Sequence, residues 1–340
     1  MPTDAPNDQG GHTGMTTSFA DAPGAPEGPL PAVDEARVVG KTPWQLFWAR
    51  FLQDRFALAG LAFILLLVLT AIAAPAFAAI TGHGPNELFQ REVTDVFGVP
   101  DGPRSGFLFG ADFSGRDVLV RTIYGTRVSL IVGVAATAVA VFIGVIVGVL
   151  AGYFGGWADS LVSRVIDIIL SIPLLLFAIG IVAACSTSKE GCLNGTLKPG
   201  MGMVIVIISL FTWPFVARLV RGNTLSLRER EFVESARSLG AGNVRIMFRE
   251  ILPNLVSPII IYASLLVPGN ILFEAYLSFL GLGVPDETPS WGNMVSDSLS
   301  SFDTTWWLWL FPGLFLLATV LAFNLLGDGL RDALDPRANR

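Results

Sequence analysis

The chain has 340 residues, of which 52% are hydrophobic and only 15% charged, and its formal net charge is −6. Soluble domains carry roughly 25% charged residues, so a soluble protein of this size could not cover its surface, and a collagen, a disordered chain or a disulfide scaffold is excluded by the high apolar content and by a Cys count of 2. Two His and two Cys argue against a His/Cys metal site, and 22 basic residues scattered between apolar runs make no nucleic-acid face.

Residues 1–40 are rich in Pro, Gly, Asp and Ala and cannot bury a core, so a disordered tail is expected over 1–43. No basic stretch leading into a short apolar one is present, so no cleaved signal peptide is expected, and Met15 is a second candidate start. Gly40-Lys41-Thr42 has the end of a P-loop, but Glu35 stands where its first glycine belongs and no strand precedes it, which argues against an ATPase. Trp44-Gln45-Leu46-Phe47-Trp48-Ala49-Arg50-Phe51 mixes aromatic and basic residues. It predicts an interfacial helix over 44–56, the alternative being an extension of the first span.

Six uncharged apolar runs follow, at 57–80, 128–158, 168–188, 199–217, 251–273 and 304–327. About 20 apolar residues suffice to cross a bilayer, and no short segments alternate with period two as in a membrane barrel. The expected fold class is an all-α polytopic membrane protein with six transmembrane helices filling 57–328 and a short tail over 329–340. Placing both termini in the cytoplasm puts 15 of the 22 basic residues on that side, as the positive-inside rule asks.

Between the first two runs lies a long outer loop, 81–127, a length that usually marks a functional loop, here one able to receive a partner. Gly144, Gly148, Gly152 and Gly156 form a small-residue stripe on the second run, which can pack within the chain or against a partner chain. Asp167 is expected to pair with Arg164, three residues away. Cys185 and Cys192 bracket the next outer loop and are either a disulfide or two unrelated thiols. Pro173, Pro214, Pro258, Pro268 and Pro312 can kink their helices, as an alternating bundle needs and as inert bundles also show.

The inner loop 218–250 is strongly patterned. Phe232, Ala236 and Leu239 make one apolar stripe, with Arg230, Glu234 and Arg237 beside it. Gly240 stands where a helix should end, and Asn243 can cap a second helix whose Val244, Met247, Phe248 and Ile251 share a face. Two such helices suit docking into a groove on a soluble partner, or packing on lipid and their own bundle. Further on, Glu274 could line a pathway, pair with an arginine such as Arg127 or bond to backbone, and Asn270 and Tyr276 are similar candidates. Trp306, Trp307 and Trp309 fit an aromatic belt.

Glu234-Ser235-Ala236, Gly240 and Leu252-Pro253 stand at the spacing of the EAA loop of bacterial ABC-importer permeases, which this segment resembles, with Ser235 and Glu250 as departures. The segments 109–119, 124–130, 151–157, 277–283, 289–292 and 324–336 are similar to the dipeptide and oligopeptide permease C subfamily. The resemblance runs from about Trp44 to Arg337 and implies a type I ABC-importer permease fold in a bacterial cell membrane. It implies a coupling helix over 231–240, with Glu231, Phe232, Glu234, Ser235, Ala236, Leu239, Gly240, Leu252 and Pro253 coupling to an ATPase. The implied partners are a homologous second permease, two ATPase subunits and an extracytoplasmic peptide-binding protein. This chain would bind no metal or cofactor and catalyse nothing, with ATP and Mg on the ATPase subunits. The implied cargo is a dipeptide or oligopeptide, with nickel or glycans as alternatives within the architecture. A secondary transporter would need an inverted repeat and midplane charges, for which only Asp167 and Glu274 are candidates.

Overall fold

A computed structural model of the chain describes residues 42–186, 192 and 198–334. The expected N-terminal tail lies outside the described residues except at Thr42 and Pro43, as does the C-terminal end from 335. Helix α1 (Pro43–Phe51) turns Trp44 and Trp48 outward and buries Phe47 and Phe51 against Leu330, Ala333 and Leu334. Helix α2 (Arg55–Thr81) is separate from it. Asp54 Oδ1 accepts the amides of Phe56 and Ala57 at 2.9 and 3.1 Å, satisfying groups that a first helical turn leaves unpaired. The aromatic segment therefore does not extend the first span.

Residues 82–117 carry one short helix, α3 (Gln90–Val93), and three isolated bridges. Helix α4 (Val118–Phe154) starts ten residues before the expected 128, so the loop expected over 81–127 is shorter by its last ten residues. Asp117 sets this start, its Oδ1 accepting the amides of Leu119 and Val120 at 2.8 and 3.3 Å. Arg121 and Arg127 interrupt the apolar run, so the sequence alone begins it at 128. At 37 residues, α4 is about 55 Å long. Helix α7 (Met201–Arg228) lies along it at the glycine stripe. A Cβ on Gly144, Gly148 or Gly152 would come within 2.5, 2.7 and 2.6 Å of Val216 Cβ, Ala217 O and Thr224 Cβ. Three stripe glycines therefore serve packing within the chain. The fourth, Gly156, faces open space at φ +51 and opens the next helix.

The expected third span, 168–188, is not one straight helix. Helices α5 (Gly156–Ser171) and α6 (Leu174–Ser186) meet at a bend of 81°. Proline disfavours helical backbone in the residue before it, and Ile172, before Pro173, is extended at φ −87, ψ 122. Asp167 pairs with Arg218 of α7 at 3.2 Å and not with Arg164. Arg221 also reaches Asp159, with Nη2 2.7 Å from Oδ2, so two ion pairs tie α5 to α7. Helix α7 runs past the expected 217 to Arg228, whose guanidinium donates to the carbonyls of Gly152 and Tyr153 at 3.3 Å each. A cation is favourable there because the carbonyl end of α4 carries partial negative charge.

Helix α8 (Glu231–Ser238) follows, then α9 (Asn243–Arg245), one π-helical turn Ile246–Ile251 and α10 (Leu252–Phe279). The last three form one apolar rod, Asn243–Phe279. Leu252 and Pro253 open α10, within this rod. Helix α11 (Trp291–Asp297), a 3-10 turn Leu299–Ser301 and α12 (Trp307–Leu334) complete the chain. Helix α12 continues six residues past the expected 328. Trp307 is buried, its Nε1 donating to Ala111 O at 3.0 Å, so it does not belong to an aromatic belt. Helices α2, α4, α7, the α9–α10 rod and α12 are long and apolar enough to cross a membrane, and the bent α5–α6 pair makes a sixth if counted as one span. No β-strand occurs among the described residues.

Candidate functional site

The connection from α7 to the α9–α10 rod is built on one buried residue. Val233 of α8 is fully buried and packs with Val149, Tyr153, Ile246, Met247 and Ile251. Helix α8 ends in a Schellman turn: the amide of Ala241 donates to Ala236 O and that of Gly240 to Arg237 O, both at 3.0 Å. Gly240 sits at φ +82 with nothing within 4 Å of a Cβ, so the need for glycine is conformational and not steric. Asn243 does not cap the second helix, a place taken by Gly242. Its Oδ1 accepts the Tyr153 hydroxyl at 2.9 Å and ties the connection to α4.

The expected stripe of Phe232, Ala236 and Leu239 does not face the core. Ala236 is partly buried, but Phe232 is exposed and Leu239 is 88% exposed. Leu239 is the C-cap and has already left the helix. The second predicted face splits likewise: Met247 and Ile251 are buried, whereas Val244 and Phe248 are exposed. Glu231, Glu234, Ser235 and Pro253 are exposed, and Leu252 and Glu250 are partly buried. The connection therefore presents four large apolar side chains to the outside from an ordered, charge-rimmed scaffold.

A cleft of about 350 Å³ opens where the α5–α6 bend meets α7 and α10. Pro173, Phe211, Phe215 and Phe273 line it, with Thr212 and Asn270 as polar residues. Asn270 is held by α4 and α7: its Nδ2 donates to Thr137 Oγ1 at 2.8 Å, and its Oδ1 accepts from Thr212 Oγ1 at 3.2 Å. The three expected pathway residues do not share one surface. Asn270 borders this cleft, Glu274 is fully enclosed and Tyr276 is 46% exposed. Glu274 accepts the hydroxyls of Ser129 and Ser278, both at 2.8 Å, and does not pair with Arg127. Cys185 and Cys192 are joined as a disulfide, with Cα atoms 4.7 Å apart.

The opposite end of the bundle holds a charge cluster. Arg116 bonds Asp112 at 2.6 Å and Asp286 at 2.7 Å. Arg121, 1% exposed, bonds Asp286, Asn86 Oδ1 and Pro85 O at 3.2, 3.0 and 3.1 Å. Burial raises the Asp286 carboxyl, but the hydrogen bonds and charges of Arg116 and Arg121 outweigh it and hold Asp286 below its ordinary value. Asp297 is pushed up by burial and by the neighbouring Asp286 charge. Trp291, fully buried, donates its Nε1 to Thr122 O at 3.0 Å and lies 3.0 Å from where a Gly125 Cβ would stand. Sequence reasoning missed this cluster. Its trace was five arginines within 91–127 facing four acids and no base in 283–303.

The family described as binding-protein-dependent transport system inner membrane component matches residues 144–340, and the N-terminal TM domain of oligopeptide transport permease C matches residues 42–92. The chain is 41% identical over 304 residues to the oligopeptide transport system permease protein OppC of Escherichia coli K12, covering 89% of this chain and 94% of that one. It is 40% identical over 308 residues to the glutathione transport system permease protein GsiD of Pectobacterium atrosepticum, covering 91% and 95%. With the di/tripeptide transport system permease protein DppC of Pseudomonas aeruginosa the figure is 38% over 307 residues, covering 90% and 96%. Among solved structures, a chain of the inward-facing MetNI methionine ABC transporter superposes with a TM-score of 0.51 at 20% identity, over 64% of this chain and 96% of that one. That likeness speaks to the fold.

Proposed function

Since the chain belongs to the binding-protein-dependent transport inner membrane component family, a permease of ABC importers, we propose that it forms half of a translocation pathway for dipeptides or oligopeptides. The cargo reading is supported by the peptide and glutathione permeases it resembles at 38–41% identity. In this reading the bent α5–α6 pair is the third of six spans and both termini are cytoplasmic. A homologous second permease completes the pathway, two ATPase subunits dock below and an extracytoplasmic peptide-binding protein docks above. ATP and Mg sit on the ATPase subunits.

The observation that carries the proposal is the apolar set Phe232, Leu239, Val244 and Phe248, exposed on an ordered connection. Such a surface suits a hydrophobic groove on a soluble partner. Glu231, Glu234, Ser235 and Ala236 shape the docking helix, and Gly240 fixes where it ends. Movement of the docked helix passes through Val233 and the Tyr153–Asn243 bond into α4 and the rod. From Asn243 to Asn270 the rod spans roughly 40 Å without a break, so displacement at the docking helix reaches the cleft beside α5–α6. Leu252 and Pro253 lie within that rod. Asn270 would face the pathway from the cleft and Tyr276 from the exposed face of α10, while Glu274 holds the α10 backbone in place through Ser129 and Ser278.

The test is co-purification from the native membrane in mild detergent, with mass spectrometry of what accompanies the tagged chain. A second permease and an ATPase whose activity rises with peptide and binding protein are expected. Recovery of this chain alone, moving solute into liposomes without ATP, would overturn the reading.

A further inference from the structure

Arg127 lies on α4, nine residues from its start at Val118, about 13 Å into the helix. Its guanidinium stands 5.8 Å from the ring centre of Tyr124. Among the described residues no carboxylate or carbonyl accepts from it, since Glu274 is taken up by serines and Asp112, Asp286 and Asp297 by Arg116 and Arg121. Arg127 is the one charged residue lining a groove of about 470 Å³ between α2 and α4, at the end of its α4 wall nearest Val118. The rest of the lining is apolar, including Val68, Ile72, Leu130, Ile131 and Val134. From Arg127 to Ala135 the groove follows roughly 12 Å of α4. It shares no lining residue with the cleft at the α5–α6 bend.

An unpaired cation on a membrane-spanning helix is costly and calls for an anion or a route to water. Guanidinium is weakly hydrated and matches phosphate oxygens bidentately. Of the anions available at the edge of a bilayer, the phosphate of a phospholipid also brings an acyl chain, which the apolar length of the groove would take. We propose that this groove is a phospholipid site, with the lipid phosphate on the Arg127 guanidinium and one acyl chain along Leu130, Ile131 and Val134. In the proposed orientation it belongs to the outer leaflet. The competing occupant is a helix of the second permease bringing a carboxylate to Arg127.

The experiment uses the full assembly from its native membrane. A benzophenone amino acid replaces Ile131, leaving Arg127 intact, and the irradiated chain is weighed. A covalent adduct of phospholipid mass is expected, and a cross-link to the second permease as the main product would overturn the proposal. Separately, native mass spectrometry compares the wild type with Arg127→Gln in the same assembly. The variant should retain at least fivefold less tightly held phospholipid, and equal retention would overturn the proposal. Both readouts report lipid and not transport, so failure here is distinct from failure of the transport reading.

Discussion

The connection between α7 and the rod and the two connections at the opposite end of the bundle leave different groups unsatisfied. At the opposite end, Arg116 and Arg121 are almost entirely withdrawn from solvent and both meet carboxylates, and Trp291 and Trp307 spend their indole N–H groups on Thr122 O and Ala111 O. The α8 connection buries Val233 but leaves Phe232, Leu239, Val244 and Phe248 outside. The buried charges and indoles finish one end within the chain, although Leu88, Val96, Phe97, Leu108, Leu299 and Phe302 stay exposed there; under the proposed function, the other end is finished only when an ATPase subunit docks. Substitutions at the finished end should therefore cost folding. Those at the unfinished end should cost coupling while the chain remains in the membrane.

The largest effect is expected from Trp291→Ala. Removing a fully buried aromatic costs about 3–5 kcal/mol, and here it also strips the clasp between α11 and α4. Chain abundance in the membrane should fall severely, as read by quantitative blotting and by a thermal-shift assay on what remains. Arg116→Ala should come next. It leaves Asp112, with a side chain 10% exposed, without its closest cation, and breaking such a pair costs about 3–5 kcal/mol where burial is complete and less here. Arg116→Lys should rescue only part of the loss, because an ammonium cannot span Asp112 and Asp286 as the guanidinium does.

At the other end, Gly240→Val should strain the backbone by about 1–2 kcal/mol or more, while its Cβ meets no other part of the chain. Abundance should hold near wild type while peptide-stimulated ATPase activity of the assembly falls at least tenfold. Equal losses of abundance and activity would erase the distinction between the two ends. Asp167→Asn should be nearly silent, since an ion pair with side chains 60% and 55% exposed is worth about 0–1 kcal/mol.

The smallest effect is a pH dependence. Asp286 is held below its ordinary value of 3.8, so its folded form gives up its proton more readily than the unfolded form. Its contribution to stability is present above the ordinary value and is lost as pH falls through the depressed one. Asp297 runs the other way, because its raised value favours the protonated form in the folded state and adds stability as pH falls through that raised value. Melting of the purified chain against pH should show a loss on the far acid side that Asp286→Asn abolishes.

The sequence carries some of these features openly and hides others for identifiable reasons. The apolar runs are visible because a bilayer demands them, and five of them fall mainly on one long helix each. Gly240 is legible because a helix end at positive φ is a local requirement that one residue type meets. The helix starts at Arg55 and Val118 were misplaced because Asp54 and Asp117 cap them and because α4 continues past Arg121, a charge buried by partners elsewhere in the chain. Those partners were out of reach: Arg116 and Arg121 meet Asp286 across 170 and 165 residues. Within α8, an eight-residue helix offers too few turns for periodicity to separate Phe232 from Val233 as the anchor. The Arg164–Asp167 expectation failed because a residue on a neighbouring helix, Arg218, was better placed than one on the same helix.

The most direct test of the contrast between the two ends is the accessibility of Leu239. The two cysteines of the chain are bonded to each other, so Leu239→Cys introduces a single free thiol, as does Val96→Cys at an exposed position of the 82–117 connection. Maleimide labelling is followed in the isolated chain and in the assembly with its ATPase subunits. The account predicts rapid labelling of both thiols in the isolated chain and at least tenfold protection of position 239 alone once the ATPase is bound. Equal labelling of position 239 with and without the ATPase would contradict it.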